Sequence, residues 1–278
     1  MNTIFMQWLL AQPQYMVIVK KLIQKTSIYC DESSEAFVSF RVTVLVAKPW
    51  GFRYYLAMEE IAPDLYLLRG FPKYAINVYL MGEVLLDAGT RLARNRILNQ
   101  LKGRSVSAHA LTHAHPDHQG ASHAVCEALG LPFWVSEGDA HAAETGDLSG
   151  TIPGGPLVSA QNKWWTGPGH PVDRKLVEGD EVAGFQVLEC PGHSPGQIAY
   201  WREQDKVLIL GDVLNGMNLL TTARGLHEPP KVFTVDPAQN RESARKLAAL
   251  APELICFGHG PPWRDPESFQ GFVASLPA

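Results

Sequence analysis

The segment Thr112-His113-Ala114-His115-Pro116-Asp117-His118 places four ligand-type side chains within six residues, at the end of a strand expected over 106–112. Histidine and aspartate resist burial unless they are paired or metal-bound. A fold built on this chain must therefore deliver the end of that strand to a site that satisfies all four. Alternate residues of an extended segment share a side, so His113 and His115 can meet one ion. Pro116 bends the chain, so Asp117 and His118 can serve a second ion nearby. Three more ligand-type residues end predicted strands: His193 in Pro191-Gly192-His193, Asp212 in Gly211-Asp212, and His259 in Gly258-His259-Gly260. Their flanking glycines let the backbone take tight conformations and approach a site closely. His109, His123 and His141 have no such context and read as ordinary core or surface histidines.

Around this segment, short strands alternate with helices, which indicates an α/β class. Residues 64–69, 76–80 and 83–87 read as strands, 91–101 as helix, 106–112 as strand, 119–129 as helix and 133–136 as strand. Further strands are expected at 182–188, 198–201 and 207–210. Asp236-Pro237 and Asp265-Pro266-Glu267 each pair an N-cap with proline at the first helical position. Residues 144–171 hold ten Gly and Pro, which predicts a long functional loop with no long regular helix. Residues 77–87 and 198–212 echo each other as strand, turn, strand, acid. Residues 1–57 carry no chemical motif and are expected to be an N-terminal extension containing a strand at 37–46. The functional domain is expected to span 58–278, and Met58 could itself be a start.

Composition narrows the function classes. Of 278 residues, 46% are hydrophobic and 19% charged, which excludes a disordered or fibrous chain. A net charge of −4 argues against a nucleic-acid binder held by a basic surface. The four cysteines, at 30, 126, 190 and 256, form no C-x-x-C pair and read as small buried hydrophobes in a reducing compartment. No apolar run reaches the 18 or so residues of a membrane span, and a cytoplasmic location with no membrane partner is expected.

The full motif series is 113–118, Pro191-Gly192-His193-Ser194-Pro195-Gly196, Gly211-Asp212 and Gly258-His259-Gly260. It resembles that of the metallo-β-lactamase-fold hydrolase superfamily, in its glyoxalase II and lactonase-like branch rather than that of the true β-lactamases. The resemblance runs from about residue 58 to the C-terminus. It implies a mixed α/β fold, a four-layer αββα sandwich with metals at one edge of its two sheets. It also implies two divalent ions, zinc foremost with iron or manganese open. One ion would take His113, His115 and His193, and the other Asp117, His118 and His259, with Asp212 bridging. Asp117 and Asp212 would be the catalytic carboxylates: Asp212 holds both ions, and Asp117 orients a bridging hydroxide and passes a proton to the leaving group.

The implied reaction is hydrolysis of an ester, thioester or lactone in a small-molecule substrate. Phosphodiester or RNA cleavage and β-lactam hydrolysis are the alternatives on the same centre. Sulfur dioxygenase chemistry at a single iron and a non-enzymatic metal-binding role are weaker ones. True β-lactamases of this fold carry Cys or Ser where Asp212 stands, and no basic cluster between 211 and 236 offers a glutathione site. Ser194 and Cys190 read as structural neighbours of His193. Trp164, Trp165, Asn215 and His227 are the substrate-side candidates, and a homodimer is left open.

Overall fold

The computed structural model describes residues 58–277, and the expectations for 1–57 lie outside them. Strands β1 (Glu59–Ala62), β2 (Leu65–Leu67), β3 (Tyr79–Met81) and β4 (Val84–Leu86) pair antiparallel in succession. Helix α1 (Arg94–Gln100) then crosses to β5 (Ala108–Ala110), parallel to β4. The ligand-rich segment leaves β5 and opens α2 (Pro116–Gln119). After it come α3 (Ser122–Leu129), β6 (Phe133–Ser136), α4 (Ala140–Thr145), α5 (Pro156–Trp165) and β7 (Arg174–Leu176). These seven strands form one sheet in sequence order.

The second sheet takes β8 (Glu181–Val182), β9 (Phe185–Glu189), β10 (Ile198–Arg202) and β11 (Val207–Ile209). The hairpin of β12 (Asn215–Met217) and β13 (Arg224–His227) follows, then α6 (Pro237–Ala248), β14 (Leu254–Cys256) and α7 (Pro266–Ser275). Its spatial order is β14-β11-β10-β9-β8.

Side-chain alternation along these strands sorts the core into three seams. Tyr79, Met81, Val84 and Leu86 face Val187, Ile198, Tyr200, Val207 and Ile209 between the sheets. Leu80 and Leu85 point the other way, onto Ile97 of α1 and Val125 of α3. Leu188, Ala199, Trp201 and Leu208 pack on Leu247 of α6 and Phe269 of α7. The layers are thus helix, sheet, sheet, helix. Because both faces of each sheet are covered, strands such as β3, β4 and β11 are apolar throughout and read as runs rather than alternations.

Buried polar groups fix the two sheets in register. Tyr200 Oη, on the second sheet, donates to Leu111 O at the end of β5 (2.7 Å), and Tyr79 Oη donates to Phe257 O past β14 (2.7 Å). Ile198 N donates to Thr112 O (2.9 Å). The ends of β5, β10 and β14 are stitched together where the ligand-type residues begin. The echo seen in sequence is topological: the hairpin β3–β4 with parallel β5 is matched by the hairpin β10–β11 with parallel β14. The first hairpin ends at Asp87 and the second at Asp212.

Two expectations are corrected. Residues 144–171 do contain a regular helix, the ten-residue α5. Gly155 is its N-cap and Pro156 its first residue, so these breakers bound the helix instead of interrupting it. Trp164 and Trp165 therefore sit on a helix, not in a loop. The run 182–188 is two strands, because Ala183 (φ 52°) and Gly184 (φ 78°) form the tight turn of the β8–β9 hairpin. Among the described residues, no helix is long and apolar enough to cross a membrane.

Candidate metal centre

Thr112 to His115 continue extended from β5, with His115 at φ −93°, ψ 159° as the N-cap of α2. Pro116 then starts the helix, and Asp117 and His118 fall in its first turn. The change from extended to helical turns the two pairs of side chains toward one another. His193 arrives from the loop between β9 and β10, Asp212 from the end of β11, and His259 from the loop after β14.

Each imidazole is oriented by a hydrogen bond from its far nitrogen. His115 Nε2 donates to Thr151 O (2.7 Å), His118 Nδ1 to Asp87 Oδ2 (2.8 Å), and His259 Nδ1 to Ala75 O. Thr112 Oγ1 donates to Asp87 and so accepts from His113 Nδ1 (3.0 Å). Thr234 Oγ1 donates to Pro230 O and so accepts from His193 Nδ1 (3.2 Å). These bonds leave His113, His118 and His193 with Nε2, and His115 with Nδ1, turned inward.

Asp212 Oδ2 lies 3.0 Å from His259 Nε2, 3.5 Å from His118 Nε2 and 3.6 Å from His193 Nε2. Asp117 Oδ2 lies 3.3 Å from His259 Nε2. Donor atoms of His113, His115 and His193 lie within 4.8 Å of one another, as do those of Asp117, His118 and His259. His113, His118 and Asp212 make a third such group that joins the two. Among the described residues, the buried atoms His113 Nε2, His118 Nε2, His193 Nε2 and Asp212 Oδ1 have no hydrogen-bond partner. Buried polar atoms without partners are rare and costly. Convergent imidazole and carboxylate lone pairs in this state fit divalent metal ions.

Electrostatics divide the cluster. Burial, with the neighbouring His118, His115 and His193, pushes His113 well below the ordinary histidine range. Burial likewise depresses His193 and His115. These three present free lone pairs at neutral pH. Burial also disfavours charge on His118 and His259, but the carboxylates beside them prevail. Asp212 and Asp87 raise His118 well above its usual value, and Asp212 and Asp117 raise His259 to about 10. The same contacts overcome burial at the acids, holding Asp117 at about 2 and Asp212 well below the carboxylate range.

Two supporting carboxylates were not singled out from sequence. Asp87, at φ 60° and buried, accepts from Thr112 N (2.8 Å), Thr112 Oγ1 (2.9 Å) and His118 Nδ1. Asp139 accepts from Ala114 N (2.8 Å), Ser194 Oγ (2.8 Å) and Gly196 N (2.9 Å), locking the loops of His113 and His193 together. Asp87 carries a legible signal as the acid that ends the first half of the internal echo. Asp139 carries only an adjacent Gly138, where a Cβ would lie 2.7 Å from Gly196 Cα. Gly258 is required at the centre itself, since a Cβ there would collide with Asp212 Oδ1 and lie 2.6 Å from His118 Cε1. Ser194 and the buried Cys190 act as supports. Burial pushes the Cys126 and Cys256 thiols up to about 12 and Cys190 higher, so none is a thiolate nucleophile.

Residues 72–259 match the sequence profile of the Metallo-beta-lactamase superfamily. The chain belongs to this superfamily. The probable metallo-hydrolase YflN of Bacillus subtilis is 31% identical over 206 residues, covering 64% of this chain and 75% of the relative. A hydroxyacylglutathione hydrolase of Rhodospirillum rubrum is 32% identical over 153 residues, covering 53% of this chain but only 46% of that enzyme. Among solved structures, a metallo-beta-lactamase family protein of Thermus thermophilus superposes with a TM-score of 0.56 at 26% identity, over 77% of this chain and 80% of that one. TTHA1623, solved in a di-iron-bound form, gives 0.53 at 30% identity, over 78% and 96%. This superfamily member is a metal-dependent hydrolase by its family and its metallo-hydrolase relatives.

A cavity of about 740 Å³ opens onto His115, Asp117, His193, Asp212 and His259. Its remaining wall is mostly apolar: Phe71 and Ile76 on one side, Leu157, Trp164 and Trp165 of α5 on another, and Leu219, Leu220 and Phe233 on a third. Trp164 is 60% exposed, Trp165 37% and Leu220 95%, so they form a rim open to solvent. Among the described residues, no lysine or arginine lines the cavity. Asn215 and His227 do not line it either, against expectation. They pair across β12–β13, and Gly216 N between them donates to His259 O (2.7 Å), so this hairpin braces the His259 loop. The apolar wall went unrecognised in sequence: Leu157 because helix α5 was not expected, and Leu219, Leu220 and Phe233 because short apolar stretches between elements carry no pattern.

Proposed function

We propose that this superfamily member hydrolyses an ester, thioester or lactone bond in a small, uncharged substrate with a large apolar portion. Two divalent ions, zinc foremost, would be held by His113, His115 and His193 and by Asp117, His118 and His259, with Asp212 serving both. The observation that carries the reading is the cavity: large, apolar, open on the ligand cluster and, among the described residues, free of lysine and arginine. Bound ions supply Lewis acidity toward a carbonyl oxygen and make water acidic enough to attack at neutral pH.

The chain's own groups do the rest. Asp117 faces the cavity and stays ionised at neutral pH, so it accepts a hydrogen bond from the attacking water and orients it. It then holds the proton released by attack and returns it to the leaving oxygen or sulfur. Trp164, Trp165 and Leu157 take the acyl or ring portion and exclude water from it. A phosphodiester, or the carboxylates of a glutathione thioester, would find no guanidinium or ammonium among the described residues of this wall. That absence supports a neutral substrate over the one named by the hydroxyacylglutathione hydrolase relatives.

The test is a panel of substrates on the metal-loaded protein: long- and short-chain acyl esters and thioesters, aliphatic lactones, an acyl-glutathione, a β-lactam and a phosphodiester. Long apolar acyl substrates should exceed their short counterparts in kcat/KM by about tenfold or more, since each buried methylene contributes about 0.8 kcal/mol. Faster turnover of the phosphodiester or of the acyl-glutathione would sink the proposal.

A further inference from the structure

Away from the centre, His123, Glu127 and His170 bring two imidazoles and a carboxylate together on the outer side of α3. His123 and Glu127 stand four residues apart on that helix and share a face. His170 comes from the segment after α5, where its backbone N donates to Ala143 O (3.0 Å) and its ring packs against Phe133. His123 Nδ1 and His170 Nδ1 are 3.1 Å apart, and Glu127 Oε1 is 4.0 Å from the same His170 nitrogen. Two neutral imidazoles facing through Nδ1 share one hydrogen between them, and moving that hydrogen to Nε2 presents both Nδ1 lone pairs to one ion. Ligands about 2.0–2.1 Å from a tetrahedral zinc stand about 3.3 Å apart, close to the spacing already present. Glu127 is exposed and free to swing the remaining distance.

We propose that His123, Glu127 and His170 form a further metal site for a divalent ion of the zinc class, which clamps α3 to the end of the cavity wall. The clamp follows from the backbone on either side. Gly120 lies three residues before His123, and Gly167 three before His170. A Cβ at Gly120 would collide with Trp165 O, and one at Gly167 with Gly120 O. The ion thus ties down the chain that leaves Trp164 and Trp165. None of the three ligands lines the cavity, so the site is separable from hydrolysis.

The test is zinc titration by calorimetry of the full chain, after loading and desalting, with thermal unfolding in parallel. Wild type should take up one additional zinc ion per chain and unfold at a higher temperature. Asp212→Ala should retain that additional ion. His123→Asn combined with His170→Asn should lose both the ion and the thermal shift, and Glu127→Gln should weaken the binding about tenfold. Unchanged uptake in the folded double variant overturns the proposal, as does the lack of an additional ion in wild type. Failure of the central pair reads differently: fewer than two ions would remain after desalting while the outer uptake persisted.

Discussion

Asp212 Oδ2 stands within 3.6 Å of three imidazoles, one from helix α2 and two from separate loops, so the centre depends on one carboxylate. Asp212→Ala is expected to remain folded and lose hydrolysis by about 10³-fold or more with at least one ion, read by metal analysis beside kcat. Asp117→Ala should keep more metal yet lose about 10²–10⁴ in kcat, the usual range for a positioned acid–base group. Near-normal kcat in a metal-replete variant would remove the role given to either residue. Asp87 acts one step back, through His118, so Asp87→Ala should weaken binding of one ion by about 10–100-fold, measured by competition with a chelator.

The protonation pattern gives a pH dependence with a definite sign. Without metal, His259 (about 10) and His118 (also raised) hold protons at neutral pH. An ion entering at Asp117, His118 and His259 must displace them, so affinity there rises with pH from about 6 to about 9. His113, His115 and His193 are depressed and have no proton to lose, so affinity there stays flat over the same range. Calorimetry in buffers of different ionisation enthalpy should show protons released with one ion and not the other.

At the scale of elements, α5 supplies Leu157, Trp164 and Trp165 to the cavity wall, the proposed substrate contact. Trp164→Ala and Trp165→Ala should raise KM for bulky acyl substrates more than they lower kcat, as expected when uniform binding is lost. Kinetics unchanged across acyl lengths, with reduced stability instead, would assign the pair to packing. The cap of α6 is a separate check: Asp236 accepts from Ala238 N and Gln239 N at 3.0 Å, so Asp236→Ala should cost about 1 kcal/mol in denaturant unfolding.

The same scale shows what was legible in the residues. The ligands of 113–118 were visible because they lie close in sequence and have no other reason to be together. His193, Asp212 and His259 were visible because glycines flank them at predicted strand ends and they complete the motif series. The caps of α6 and α7 were visible because Asp-Pro is a local signal. Asp139 was not, because its partner Ser194 lies 55 residues away, and such pairing leaves no local trace. Helix α5 was hidden because breaker density was averaged over a window whose breakers sit at its ends. Strands β7 and β14 are three residues long, too short for any period to show.

At the scale of the whole molecule, two sheets of matched topology pack face to face, each with a hairpin followed by an aspartate at the centre. Asp212 touches His118 on Nε2, and Asp87 touches it on Nδ1, so the two halves converge on one imidazole. Their registration rests on few bonds. Tyr200→Phe leaves Leu111 O without its donor, two residues before His113, and should destabilise the fold by about 1–3 kcal/mol while weakening metal retention.

The central claim is that a pair of ions in this seven-residue cluster performs the hydrolysis. It is tested most directly by adding zinc stepwise to chelator-stripped protein and following turnover of a long-chain acyl ester. The account predicts no turnover without metal and a maximum reached at two equivalents, with further zinc adding none. Full activity at one equivalent, or activity that survives complete removal of metal, would contradict it.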